Sequence, residues 1–231
     1  MILAAGLGTR LKPFTDHHPK ALAPVNGKPV LQRNIEYLQR YGIDDVIINV
    51  HHFADQVIEA IEIHKGWGSK VTISNESDEV LETGGGILKA GWFLKGPDPF
   101  VVMNADILTN LDLGAMMAFH QKNGPLGTLA VTTRNSSRAL LFNAENKLCG
   151  WRNEKTGETK GQPGHSMAFS GIQVLSPAIF DLVKFSGKFS MIDVYLDLCK
   201  EHSLMAFDHS NSLFMDIGTV EKLAASEKLF P

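Results

Sequence analysis

The chain has 231 residues, two cysteines and a formal net charge of −3. That length suits one large α/β domain, the charge gives no general attraction to nucleic acid, and Cys149 and Cys199 form no Cys-x-x-Cys metal or redox pair. No apolar run reaches the ~18 residues of a membrane span. No charged segment precedes the apolar start as it would in a signal peptide, so a cytoplasmic protein is expected, monomeric or a small homo-oligomer, without membrane or nucleic-acid partners. Met1 already lies in the first apolar run, so a residue or two is expected ahead of it.

Residues 1–5 read as a strand that runs into a loop with glycines at 6 and 8 and prolines at 13, 19 and 24. Pro29 opens a helix with Val30, Leu31, Ile35 and Leu38 at helical spacing, and Gly42 lies just beyond its end. Asp45–Val50 is strand-like, and Ala54, Val57, Ile58 and Ile61 then follow the i, i+3, i+4, i+7 rule of an amphipathic helix. Residues 71–74 predict a strand. Gly84-Gly85-Gly86 leads into a helix over 87–94, where Trp92 and Phe93 are assigned to the core. Residues 100–103 form a buried strand ending at Asn104-Ala105-Asp106.

From Gly127 the pattern changes to shorter strand-like pieces at 128–132, 139–142, 148–151 and 169–175. Helices are expected over 178–183 and 192–200, then a short strand over 213–215 ending at Asp216, and a closing helix Val220–Leu229. No internal repeat, linker or hexapeptide tail interrupts this order. A single domain is expected, with the second half building the far wall of a cleft.

The first loop holds the chemistry. Between Met1 and Lys28 four cations (Arg10, Lys12, Lys20, Lys28) face one anion, Asp16. Gly6 and Gly8 let backbone N–H groups approach a phosphate, Arg10 adds a planar fork of donors, and Lys20 adds a compact charge. The dinucleotide fingerprint requires a third glycine where Leu11 stands, and no Walker A loop occurs anywhere in the chain. His17-His18 and His51-His52 are adjacent pairs, not the i, i+4 pairs that share one helix face.

The run from Leu3 to Pro13 (LAAGLGTRLKP), followed by Pro19-Lys20, Pro24-Val25 and Gly27-Lys28-Pro29, resembles the signature of the sugar-1-phosphate nucleotidyltransferases. The resemblance continues in order through Leu81-Glu-Thr-Gly-Gly-Gly86, Asn104-Ala-Asp106, Phe169-Ser-Gly-Ile172 and Asp216-Ile-Gly-Thr219. Short length and the Glu-Thr-Gly-Gly-Gly run are most similar to the bacterial uridylyltransferases that act on N-acetylmuramate 1-phosphate in cell-wall recycling. Guanylyltransferases acting on mannose 1-phosphate are the alternative branch. A non-catalytic nucleotide-sugar sensor on the same fold is the alternative of another class.

The resemblance implies a Rossmann-like mixed, mainly parallel sheet flanked by helices, with a nucleotide-binding part over about 1–110 and a sugar-binding part over about 111–231. It implies an NTP, with UTP favoured, and a sugar 1-phosphate as substrates, with Mg²⁺ held by Asp106 and Asp216. Each aspartate is equally placed to cap a turn or helix. Arg10 is assigned to the triphosphate and leaving pyrophosphate, and Lys20 to the phosphates flanking the α-phosphorus. Leu3, Ala4, Ala5, Gly6, Leu7, Gly8, Thr9 and Asn104 line the nucleotide, with Asn75, Glu82, Thr83 and Gly84 opposite; many relatives have glycine where this chain has Glu82. Asn153, Lys155 or Arg152, with Gly171, are assigned to the sugar phosphate and sugar; the Glu-Lys-Pro of relatives has no clear counterpart in Arg152-Asn-Glu-Lys-Thr156.

Overall fold

The computed structural model describes residues 1–231. The first half is a run of parallel strands linked by helices: β1 (Ile2–Leu3), α1 (Val30–Gln39), β4 (Asp45–Val50), α2 (Ala54–Ile63), β5 (Lys70–Asn75), α3 (Glu82–Lys89), α4 (Gly91–Leu94) and β6 (Phe100–Asn104). A two-residue hairpin, β2 (Pro24–Val25) and β3 (Lys28–Pro29), sits between β1 and α1. After β7 (Ile107–Thr109) and α5 (Leu113–Asn123) come β8 (Gly127–Thr132), β9 (Arg138–Phe142), β10 (Leu148–Asn153), β11 (Thr159–Gly161) and β12 (His165–Leu175). The chain closes with α6 (Ile179–Leu182), α7 (Met191–Leu198), β13 (Leu204–Asp208), β14 (Phe214–Asp216) and α8 (Val220–Leu229).

Ten strands form one mixed sheet, in the order β11-β10-β9-β12-β6-β1-β4-β5, with β8 branching from β12 and β13 pairing with β8. β6, β1, β4 and β5 run parallel, and β12 pairs antiparallel with β6, β8 and β9. Period-2 alternation assigns the two faces. Val46, Ile48 and Val50 of β4, with Val101 and Met103 of β6, enter one apolar core, while Ile47 and Val102 enter the other. Each such fully buried aliphatic side chain stabilises the fold by roughly 1.5–3 kcal/mol. A smaller cluster of Leu11, Ala23, Val25, Val30, Leu108 and Ile217 fastens the first loop to the β14 end of the molecule.

Three expectations change. The three glycines lie inside α3, because packing there admits no side chain. A Cβ at Gly84 would stand 2.4 Å from the Phe189 ring, one at Gly85 2.4 Å from the Gly187 carbonyl, and one at Gly86 2.8 Å from Asn49 Nδ2. The expected helix over 87–94 is broken at Ala90 into α3 and α4. Trp92 is 70% exposed and only Phe93 packs inward, so the aromatic pair is split between solvent and core. No helix is long and apolar enough to cross a membrane.

Candidate active site

A cleft of about 450 Å³ opens where β1, β4 and β6 end, the place at which open α/β sheets present ligands. Leu3, Ala4, Asn49 and 104–106 line its floor, the loop over 5–10 with Lys20 forms one rim, and Val80, Glu82 and Thr83 form the other.

The first loop is held from below and left open above. Leu11 N–H and Thr15 Oγ1 both donate to the Gly8 carbonyl at 2.9 Å, and Ala4 N–H donates to Asn49 Oδ1 at 2.8 Å. Gly8 has φ +64°, and a Cβ there would stand 2.9 Å from Thr15 Cγ2, so the turn requires glycine. The N–H groups of Ala5, Gly6, Leu7 and Gly8 have no acceptor within the protein. Four successive free donors bordering a cleft make an anion-binding concavity.

The charges come from three places. Asp106 lies in the two-residue turn between β6 and β7; Asn34 Nδ2 donates to the neighbouring Ala105 carbonyl at 2.9 Å, fixing the backbone at that point. Lys20, on a short 3-10 turn, donates to the Asp106 carboxylate. Asp216 ends β14, opposite Ile107 of β7, and Ile217 N–H donates to the Asp106 carbonyl at 2.9 Å. Residues 110 apart in sequence thus lie on abutting backbone, Asp216 at the end of β14 and Asp106 just ahead of β7. Gly218 completes the corner: a Cβ would stand 2.8 Å from Asp216 Oδ1 and 3.2 Å from Arg10 Nη2. The guanidinium and the carboxylate both close against this one glycine.

Lys222 was not foreseen. Thr219 caps α8, accepting from Lys222 N–H at 3.4 Å, and the first turn of that helix brings Lys222 Nζ to 2.5 Å from Asp216 Oδ2. Each acidic group of the pair therefore carries an ammonium. The available signal was a lysine six residues after Asp216, indistinguishable in sequence from a solvated helix lysine. Asn49 was also missed, because a lone amide inside an apolar strand shows no periodic pattern. Two carboxylates on abutting backbone segments offer hard oxygen donors, the donor set that a hard divalent cation takes together with phosphate oxygens.

Of the expected nucleotide-side residues, Leu3, Ala4, Ala5, Gly6, Leu7, Gly8, Thr9, Arg10, Lys20, Glu82, Thr83 and Asn104 line the cleft; Asn75 and Gly84 do not. Asn75 Oδ1 accepts from Ser77 N–H at 2.8 Å, tying the exposed amide into its own turn. Gly84 is buried against Phe189. Asn153 and Lys155 lie on the β10–β11 hairpin, where Asn153 Oδ1 accepts from the N–H of Lys155 at 3.0 Å and Thr156 at 3.3 Å. Arg152 pairs with Glu154 at 3.6 Å. None of these three lines the cleft. Gly171 has φ +71° at a bulge of β12, where a Cβ would stand 2.5 Å from Asn104 Nδ2, so its bareness admits that amide.

An N-acetylmuramate alpha-1-phosphate uridylyltransferase of Neisseria meningitidis serogroup B is 29% identical over 99% of this chain and 96% of that protein. Its counterpart in Caulobacter vibrioides is 42% identical over 46% of this chain and 44% of its own length. The mannose-1-phosphate guanylyltransferase catalytic subunit beta of Xenopus tropicalis is 27% identical over 94% of this chain, which spans 60% of that longer protein. Among solved structures, HddC from Yersinia pseudotuberculosis complexed with GMP-PN superposes with a TM-score of 0.79 at 28% identity, covering 100% of this chain and 98% of HddC. A UDP-glucose pyrophosphorylase from Acinetobacter baumannii shares the fold at a TM-score of 0.82 and 16% identity, over 99% of this chain and 91% of its own. The family model described as "Nucleotidyl transferase" matches residues 1–142, more than half the chain, and the chain belongs to that family.

Proposed function

We propose that the chain transfers a uridylyl group from UTP to N-acetylmuramate 1-phosphate, giving UDP-N-acetylmuramate and pyrophosphate. The observation that carries nucleotidyl transfer is the loop of four free N–H donors beside Arg10, Lys20 and the abutting carboxylates of Asp106 and Asp216. The substrate pair rests on the Neisseria relative, matched nearly end to end.

In this reading the base lies over Leu3 and Ala4, between the first loop and Val80, Glu82 and Thr83. The free N–H groups of 5–8 hold the phosphates, and Arg10 neutralises the pyrophosphate as it leaves. A phosphate oxygen of the sugar 1-phosphate attacks the α-phosphorus in line. The new P–O bond forms as the bond to the β-phosphate oxygen breaks, and the electron pair leaves with pyrophosphate. Two anions must meet, so positioning and charge neutralisation supply the catalysis. The family uses divalent metal ions; Mg²⁺ is the ion proposed, and Asp106 and Asp216 would hold it. When bound, that ion supplies Lewis-acid polarisation of phosphate oxygens. Lys20 and Lys222, ion-paired with those carboxylates, add positive charge beside the phosphates.

Pyrophosphate release measured across UTP, GTP, CTP and dTTP, each with N-acetylmuramate, N-acetylglucosamine, mannose and glucose 1-phosphates, tests the assignment. UTP with N-acetylmuramate 1-phosphate is expected to give the highest kcat/KM by at least about tenfold. No turnover with any pair overturns the proposal. A second reading, guanylyl transfer to mannose 1-phosphate, is favoured by the likeness to HddC complexed with GMP-PN and to the guanylyltransferases. A maximum with GTP and mannose 1-phosphate in the same panel establishes it instead.

A further inference from the structure

Asn49 stands in the floor of the cleft, at the point where the first loop leaves the sheet. Leu3 is paired opposite Asn49 in the β1–β4 ladder, and one residue later Ala4 N–H donates to the Asn49 side chain at 2.8 Å. The other end of the amide is held as firmly: Nδ2 donates to Glu76 Oε1 at 2.9 Å. Glu76 is 1% exposed, its N–H donates to the Val50 carbonyl, and its carbonyl accepts from His51 Nδ1 at 2.6 Å. Gly86 of α3 closes over the pair, since a Cβ there would stand 2.8 Å from Asn49 Nδ2 and 2.9 Å from Glu76 Oε1.

Glu76 Oε1 accepts from Nδ2, and that bond fixes which way the amide faces. With Nδ2 drawn to Glu76, Oδ1 must face Ala4. A flipped amide would set donor against donor at Ala4 and oxygen against oxygen at Glu76. The arrangement is expensive, because Glu76 Oε2 is buried with no partner and burial pushes the carboxyl above its usual range. An apolar pair of similar shape would hold the sheets together without that cost. What an apolar pair could not do is take the Ala4 N–H and direct the chain away from β4, leaving the next four N–H groups free.

We infer that Asn49 and Glu76 act as one positioning unit for the nucleotide: Glu76 sets the amide, and the amide sets the loop that meets the phosphates. The inference rests on the reading that this loop binds an NTP. Its test is UTP and GTP affinity by calorimetry, with KM for each substrate, on the full chain and five variants of verified fold. Asn49→Leu is expected to weaken NTP binding about tenfold while leaving KM for the sugar 1-phosphate within twofold. Glu76→Leu should match it, and Asn49→Leu with Glu76→Leu should be no weaker than either alone, because coupled residues do not add. Asn49→Asp keeps the acceptor for Ala4 but opposes Glu76, and Asn49→Asp with Glu76→Gln restores a donor–acceptor pair and should recover affinity. That rescue keeps the test decisive even if a leucine variant does not fold. Unchanged NTP affinity in folded Asn49→Leu, multiplying losses in the double leucine variant, or no rescue by Glu76→Gln overturns the positioning unit alone. Absence of NTP binding by the unaltered protein overturns it together with the nucleotide reading.

Discussion

Two polar loops in this molecule look alike in sequence and differ in what they do with their backbone. The loop after β1 leaves the N–H groups of Ala5, Gly6, Leu7 and Gly8 unengaged at the edge of a cleft. The β10–β11 turn consumes its own: Asn153 Oδ1 takes the N–H groups of Lys155 and Thr156, and the Asn153 carbonyl takes that of Gly157 at 2.8 Å. Both contain the cations expected of an anion site. Free donors, not nearby charge, separate a loop built to receive a ligand from one that closes on itself.

The largest expected break in this contrast is Asp106→Asn. It removes a charge from the corner where Lys20, Asp216 and Arg10 meet and leaves the free donors of the loop untouched. Turnover should fall by about 100-fold or more, with the unfolding midpoint shifted little because Asp106 is only part-buried. Pyrophosphate release beside thermal unfolding decides it, and near-normal turnover removes Asp106 from the chemistry.

Glycine substitutions sharpen the contrast further. A Cβ at Gly6 meets nothing within 4 Å, whereas one at Gly8 meets Thr15 Cγ2 at 2.9 Å with φ at +64°. Gly6→Ala is therefore expected to keep the melting temperature while raising KM for the NTP about tenfold, since the added methyl costs only when a phosphate approaches. Gly8→Ala should lose about 1–2 kcal/mol of stability as well, or about 3–6 °C in melting temperature. Equal melting temperatures for the two variants would contradict the structure. On the other loop, Asn153→Ala should cost about 1 kcal/mol through the lost turn acceptor and leave the KM for the NTP within twofold.

The same physics explains what could be read in advance. Asp45–Val50 and Ala54–Ile63 are legible because a continuous apolar run and an amphipathic pattern report burial directly. Helix α5 is not, since Ala, Gly and a buried His120 interrupt its apolar stripe, and β13 is a five-residue strand whose partner β8 is distant in sequence. The first loop is legible as a candidate anion site through its glycines and cations, and it lines the cleft. Asn49 and Lys222 are not, because their roles exist only once the sheet and α8 bring them to Ala4 and Asp216. The glycines of α3 are illegible for a related reason: Gly84 and Gly85 meet the 187–189 segment more than 100 residues downstream, and Gly86 meets Asn49 and Glu76.

Buried ionisable groups extend the comparison from loops to halves, with opposite signs in pH. In the antiparallel half, His209 Nε2 lies 2.8 Å from Ser170 Oγ, Nδ1 is buried without a partner, and burial beside the Arg134 guanidinium lowers the ring's pKa from 6.5 to about 4. Between pH 6.5 and about 4 the unfolded chain binds a proton there that the folded chain refuses, so stability falls as pH falls through that window. Under the first loop, burial raises the Glu76 carboxyl above 4.5, opposed by the Asn49 amide. There the folded chain holds the proton more tightly, so the contribution of Glu76 falls as pH rises above 4.5. Melting temperature measured from pH 7.5 to 4.5 should accordingly decline less steeply in His209→Gln than in the unaltered chain, and more steeply in Glu76→Gln. A parallel shift of both curves, with no change in slope, would mean that neither group titrates differently on folding.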